Sequence, residues 1–296
     1  MKQDNFISAV IYVEDNSNYI ESFLPYIAGY LKNNYKFFEI ILVCDNANSN
    51  KKIFFSKLIN EKKLDAQISI IYLENKVGIE KAMIAGMDLA IGDYIFEFND
   101  ISILIENEII TQLYKLCLEG NDASILVPES ISFFDKVYYS LMKKFGYFKY
   151  DEYREDEILT ILSRRMINRI GILKKQITNR SLFYKMSGLS CKYLKYNGNY
   201  NKCQSYNLKS KINTLSIFSN IFIKLYSIFG IVSLLISVGF IIKKDYLCSL
   251  FSLFFMLIIF AIVFLIKKQS LSLEYLWTDA MYQYSSIDKI SKETSK

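Results

Sequence analysis

Histidine is absent from all 296 residues. Every mechanism that needs an imidazole, from serine–histidine–aspartate triads to histidine-ligated zinc, is thereby excluded. Cysteine is sparse: Cys44, Cys117, Cys191, Cys203 and Cys248 are odd in number and include no close pair, which argues against a disulfide framework and against cysteine-held zinc. Charge is missing from two long runs, Leu225 to Ile242 (18 residues) and Tyr246 to Ile266 (21 residues). About 20 apolar residues cross a bilayer core as helix, so these runs are read as a transmembrane hairpin. The rival reading, a pair of buried core helices, is poor because apolar residues on every helical face leave no side for water. The apolar run Ile7 to Val13 is short for the core of an export signal and leads straight into Glu14-Asp15-Asn16, so it is read as a strand and no export signal is expected. The residues on either side of the hairpin are therefore expected on the cytoplasmic side of the inner membrane. Lysines flank both spans and their connecting loop alike, so charge asymmetry supports this orientation only weakly.

The chain carries a net charge of +6, and its basic residues thicken between Lys136 and Lys224. Beside apolar spans, such a stretch is read as meeting anionic headgroups or phosphorylated substrates, not nucleic acid. With 52% hydrophobic residues, the chain can bury a substantial core. Up to about residue 130, short β-branched runs alternate with helix-period segments. Ile7 to Val13, Glu39 to Val43, Ile68 to Leu73, Tyr94 to Phe98 and Ser124 to Val127 read as strands. Asn18 to Leu31, Lys51 to Asn60, Ile79 to Ala90 and Asn107 to Leu118 carry apolar residues at helical spacing. Pro25 lies inside the first of these and is expected to kink or split it. Strand and helix in alternation predict an α/β fold with a mainly parallel sheet covered on both faces. Ligands of such sheets sit beyond the carboxyl ends of the strands. Three polar clusters fall there: Glu14-Asp15-Asn16, Asp45-Asn46 and Asn99-Asp100.

Beyond residue 130 the pattern is poorer. A helix is expected over Glu157 to Ile170, an amphipathic interface helix over Leu208 to Lys224, and a final segment over Leu271 to Ile290. The expected division is residues 1–206 for the cytoplasmic domain, 207–224 for the interface helix, 225–266 for the hairpin and 267–296 for a cytoplasmic tail.

Several motifs together resemble family 2 glycosyltransferases of the GT-A fold, and over nearly the full length the polyprenyl-phosphate and dolichol-phosphate glycosyltransferases. Ile7-Ser-Ala-Val-Ile-Tyr-Val13 matches their opening strand, and Glu39-Ile-Ile-Leu-Val-Cys-Asp45 the second strand with its terminal aspartate. Gly78, Ala82, Gly86, Ala90 and Gly92-Asp93 match the helix and turn ahead of the metal-binding strand. Ser163-Arg164-Arg165 and Glu274-Tyr-Leu276 match later segments. The resemblance implies a Rossmann-like GT-A domain followed by interface helices and two transmembrane helices. It further implies inverting transfer of a sugar from a nucleotide-sugar to a polyprenyl phosphate in cell-envelope glycan synthesis, with a flippase or a second copy of the chain as further partners.

The resemblance assigns nucleotide-sugar binding to Glu14, Asp15, Asp45, Gly78, Asn99, Arg164 and Arg165. The family's two metal-binding carboxylates fall on Asn99 and Ile101, so Asp100 between them is read as the catalytic residue and the ligand of Mg2+ or Mn2+; Glu97 is the alternative, which strand alternation disfavours. The sequence departs from the family at the site itself. Cys44-Asp45 stands for two acids, Asn99-Asp100-Ile101 for Asp-x-Asp, and Lys202-Cys-Gln-Ser205 for a Gly-Glu-Ser-Lys-like loop. A lipid phosphate is already an anion and attacks the sugar without a general base, so alignment and charge neutralisation are the remaining tasks. The departures also fit a second reading, in which the scaffold survives as a non-catalytic membrane subunit.

Overall fold

The computed structural model describes residues 2–13, 19–46, 49–62, 64–145, 154–173, 179–198, 221–242 and 284–290, with a few single positions between them. The opening strand β1 (Ile7–Val13) is buried along its whole length, as expected of a central parallel strand with both faces covered. It lies between β2 (Phe38–Cys44) and β4 (Tyr94–Phe98), parallel to both, and β3 (Gln67–Leu73) extends the parallel set beyond β2. Helices α1 (Ile20–Asn34), α2 (Ser49–Lys62) and α3 (Ile79–Leu89) connect these strands, and α4 (Asn107–Leu118) leads to β5 (Ala123–Pro128). Then come α5 (Phe133–Phe145), β6 (Leu159–Ser163), α6 (Arg164–Leu173), α7 (Arg180–Met186), β7 (Cys191–Tyr196), α8 (Ile221–Ile242) and β8 (Tyr284–Ile290). The eight strands form one sheet, β7-β5-β6-β4-β1-β2-β3-β8. Strand β6 runs antiparallel to both β4 and β5, and β8 antiparallel to β3.

The two faces are packed differently. On one, Ile7, Ala9 and Ile11 meet Phe23, Leu24 and Ile27 of α1 in a shared apolar core. Tyr35, Phe96 and Tyr114 add edge-to-face rings there, Tyr35 and Tyr114 with centroids 5.3 Å apart. On the other face α3 lies against β1 and β2, and Gly86 is the reason it can. A Cβ there would run into Val10 and lie 2.8 Å from Val43 Cγ2.

Gly92 answers a different constraint. A Cβ there would sit 2.6 Å from the Ser8 nitrogen and 2.8 Å from the Phe6 oxygen, both backbone atoms that cannot rotate away. Gly92→Ala is expected to destabilise the fold by about 1–3 kcal/mol, read as a lower urea midpoint at unchanged m-value. An unchanged midpoint would contradict the packing described.

The structure departs from the sequence expectations in four places. Strand β6 and helix α6 replace the single helix expected over Glu157 to Ile170, because Leu159, Ile161 and Leu162 fill a buried slot between β4 and β5. Helix α1 continues unbroken across Pro25. Helix α5 was not anticipated. Nor was β8, which joins the sheet from the segment expected to be a tail.

By compactness the chain divides into Met1–Ile131 with Tyr153–Tyr206 and Asp279–Lys296 as one unit, and Ser132–Glu152 with Asn207–Thr278 as the other. The second unit thus takes in α5 and α8. Within it, Asp135 of α5 is ion-paired with Lys211. Helix α8 has its backbone described over 22 residues, but its side chains only at 228–238 and 242, where Ile228, Phe229, Ile231 and Leu235 are more than half exposed. Among the described residues no helix is long and apolar enough to cross a membrane. Most of the second apolar run, of the expected interface helix, and the Lys202 loop fall outside the described residues.

Candidate functional site

The carboxyl ends of β2 and β4 present the polar groups. Asp45 follows β2 and accepts hydrogen bonds from Val77 N at 2.7 Å (Oδ1) and from Gly78 N at 2.8 Å and the Tyr12 hydroxyl at 3.1 Å (both Oδ2). It ties the end of β2 to the start of α3. Gly78 takes a φ of 86° there, which a side chain would strain. Asn46, next to Asp45, also has a positive φ, 70°, a conformation that asparagine tolerates better than most residues. Thus Asp45 and Gly78, both expected at the site, are brought together, with the carboxylate fixing the loop.

At the end of β4 the arrangement is denser. Arg180, at the start of α7, is 1% exposed. It donates from Nη1 to Glu97 Oε1 at 3.0 Å, from Nη2 to Asn99 Oδ1 at 3.0 Å, and from Nε to Glu80 Oε2 at 3.2 Å. Its backbone N–H also donates to Glu80 Oε2 at 2.7 Å. The Tyr184 hydroxyl donates to Glu97 Oε2 at 2.5 Å. Asp100 accepts from Ser102 N at 2.9 Å through Oδ1. Its Oδ2 is buried without a hydrogen-bond partner, and so are Asn99 Nδ2 and Asn179 Nδ2. Buried polar atoms are almost always satisfied, so several orphans on neighbouring elements mark a place built for something else.

The electrostatics agree. Glu157 is fully buried, and that burial, reinforced by the charge of Glu97 and opposed by Arg180, pushes its carboxyl up to about 8. Burial also raises Glu97, against the pull of Arg180 and the hydrogen bond from Tyr184. An acid whose folded pKa is raised binds more protons folded than unfolded, so its contribution is complete below the usual glutamate range and fades as pH climbs through 8. The stability of the wild type should therefore fall between pH 5 and pH 9 relative to Glu157→Gln, by the order of a few kcal/mol. Denaturant titrations of both proteins at several pH values check this. A gap that does not grow with pH would place Glu157 in a wetter setting.

The other expected residues are placed elsewhere. Glu14 and Asp15 lie outside the described residues. Arg164 donates to the carbonyls of Gly92 and, at 3.0 Å, Ala90, and Arg165 is ion-paired with Asp122. Both arginines sit at the start of β4, since Ser163 pairs with Tyr94, at the opposite end of the strand from Asp100. Arg164 clamps the turn before β4 and Arg165 holds Asp122 ahead of β5, both away from Asp100. In their place the site holds Arg180, Glu157 and Tyr184, which sequence reasoning missed. The acidic run Glu155-Asp156-Glu157 ahead of an apolar stretch was the available signal. Among the described residues, burial pushes the Cys117 and Cys191 thiols up to about 11, which keeps them protonated at neutral pH.

Among the described residues no group of three or more acidic or cysteine side chains is gathered so as to cage a metal. The open Oδ2 of Asp100 fits the alternative, a Mg2+-like ion held by one carboxylate with phosphate oxygens and water completing its shell.

Comparison with known proteins bears on what that shell is for. The glycosyl transferase family 2 model matches residues 10–195. No curated protein matches the chain. Among solved structures, mannosyl-3-phosphoglycerate synthase from Rubrobacter xylanophilus aligns at 12% identity and TM-score 0.50, over 72% of this chain and 71% of that one. Glucosyl-3-phosphoglycerate synthase from Mycobacterium tuberculosis, in complex with phosphoglyceric acid, aligns at 13% and 0.50, over 72% and 78%. A mannosyltransferase from Pyrobaculum calidifontis, in complex with GDP-mannose and Mn2+, aligns at 12% and 0.48, over 65% of this chain and 55% of that one. The chain thus spans a little over half the length of the Pyrobaculum protein. At these identities, the likeness of the first two shows the fold.

Proposed function

The family match covers more than half of the chain, which therefore belongs to glycosyl transferase family 2, and from that membership we propose that it moves a sugar from a nucleotide-sugar to a polyprenyl phosphate at a membrane surface. The observation that carries the reading is the buried, unpartnered Oδ2 of Asp100 at the carboxyl end of β4. Asp100 would hold a divalent ion, which when bound neutralises the departing diphosphate. Asp45 ties the end of β2 to the loop between β3 and α3 at Val77 and Gly78, and Arg180 fixes the end of β4. These groups hold the donor in line for attack. One phosphate oxygen of the acceptor forms the new bond to the anomeric carbon as the bond to the diphosphate breaks, with inversion. The acceptor is already anionic, so no side chain need remove a proton.

The lipid part of the reading rests on the second unit. Helix α8 exposes apolar residues along its described face, and α5 exposes Phe133 and Phe134 beside Lys136. Both suit a bilayer interface. Confinement to the surface would also raise the local concentration of a lipid acceptor. A non-catalytic subunit is the second reading, favoured by the capture of the Asn99 amide oxygen by Arg180.

The test uses the full chain in vesicles with labelled nucleotide sugars, offered either polyprenyl phosphate or water-soluble phosphorylated acceptors. Label entering the organic phase with the lipid acceptor alone supports the proposal. Transfer only to a soluble acceptor would remove the lipid. Nucleotide binding without any transfer would favour the subunit reading.

A further inference from the structure

The side chain of Asn99 can face its neighbours in two ways, and Arg180 selects one. A guanidinium has donors only, so the atom that meets Arg180 Nη2 at 3.0 Å must be the amide oxygen. The amide nitrogen is then left buried and without a partner. Arg180 has no slack to release it, being held by Glu80 and Glu97 and 1% exposed. The result is a buried hydrogen-bond donor, fixed on the residue before Asp100, whose own Oδ2 is likewise buried and unpartnered. A cation cannot bind an N–H, so Asn99 is no metal ligand in this arrangement.

We propose that Asn99 Nδ2 is an anion-binding donor that hydrogen-bonds a diphosphate oxygen of the bound nucleotide directly, with Arg180 as the positioning residue that aims it. The work at the strand end is thereby divided. Asp100 serves the cation and Asn99 serves the phosphate, so part of the affinity for a nucleoside diphosphate does not depend on metal. This rests on the nucleotide-sugar reading above and adds to it the group that each residue meets.

The test is calorimetric titration of the full chain with UDP, GDP, ADP and CDP, and with the corresponding nucleosides, first in chelator and then in Mn2+. The variants are Asn99→Asp and Asn99→Ser. Asn99→Asp still accepts from Arg180 and turns an oxygen instead of an N–H to the ligand. It is expected to weaken metal-free binding of the preferred diphosphate at least about tenfold, with much of the loss recovered in Mn2+. Asn99→Ser, which lacks the reach, should lose metal-free binding as well, with Mn2+ restoring only the share that Asp100 supplies. Nucleoside binding should not change in either variant. Wild-type binding in Mn2+ with equal metal-free affinity in Asn99→Asp would overturn the inference and leave the nucleotide-sugar reading standing. A wild type that binds no nucleoside diphosphate in either condition would overturn both.

Discussion

Arg180→Met is expected to cost the N-terminal unit about 3–5 kcal/mol, the usual consequence of removing one partner from a buried ion network. The guanidinium lies against Glu80, Glu97 and Asn99. Glu97 is fully buried, with its remaining oxygen taken by Tyr184. Without Arg180, Glu97 either stays charged in a dry site or takes up a proton, and both cost free energy at neutral pH. The deficit should shrink as pH falls, because protonation then becomes cheap. Combining Arg180→Met with Glu97→Gln should recover part of the loss, a coupling that a double-mutant cycle in urea measures. Additive losses would mean that the two side chains do not share one network.

Asp100→Asn should leave stability nearly unchanged and lower sugar transfer by about 10²–10³-fold. The amide keeps the acceptor that meets Ser102 N, so the turn after β4 survives. What it loses is the charge on the orphaned Oδ2. If Asp100 merely ended the strand, Asn would serve as well, and transfer would persist. The concentration of Mn2+ giving half-maximal rate should rise at the same time, since Asp100 is the carboxylate assigned to the ion. A fall in rate together with loss of folding, seen by circular dichroism, would place Asp100 in the scaffold.

Much of the scaffold is legible in the sequence because its cues are local. The apolar runs at β1 and β4 and the periodicity of α4 give those elements their observed bounds. The glycines at 86 and 92 reflect close approaches that leave no room for a side chain. The polar site is far less legible. Arg180 meets partners 100 and 83 residues away, from a short helix with little periodic signal. Arg164 and Arg165 are expected at the ligand because Ser163-Arg164-Arg165 matches a family motif, which here follows the apolar run Leu159 to Leu162. That run is an antiparallel strand, so its carboxyl end lies beside the start of β4, opposite Asp100. Direction, which periodicity does not encode, decided which arginine reached the site.

The central claim is that Asp100 and the groups around it form a site for a cation and a nucleoside diphosphate together. Electron paramagnetic resonance of Mn2+ titrated into the full chain tests it most directly, because the sharp signal of free hydrated Mn2+ disappears on binding. The account predicts weak uptake by the protein alone, tight uptake once its preferred nucleoside diphosphate is added, and loss of that second uptake in Asp100→Asn. Equal uptake by the variant, or no gain on adding any nucleoside diphosphate, would contradict it.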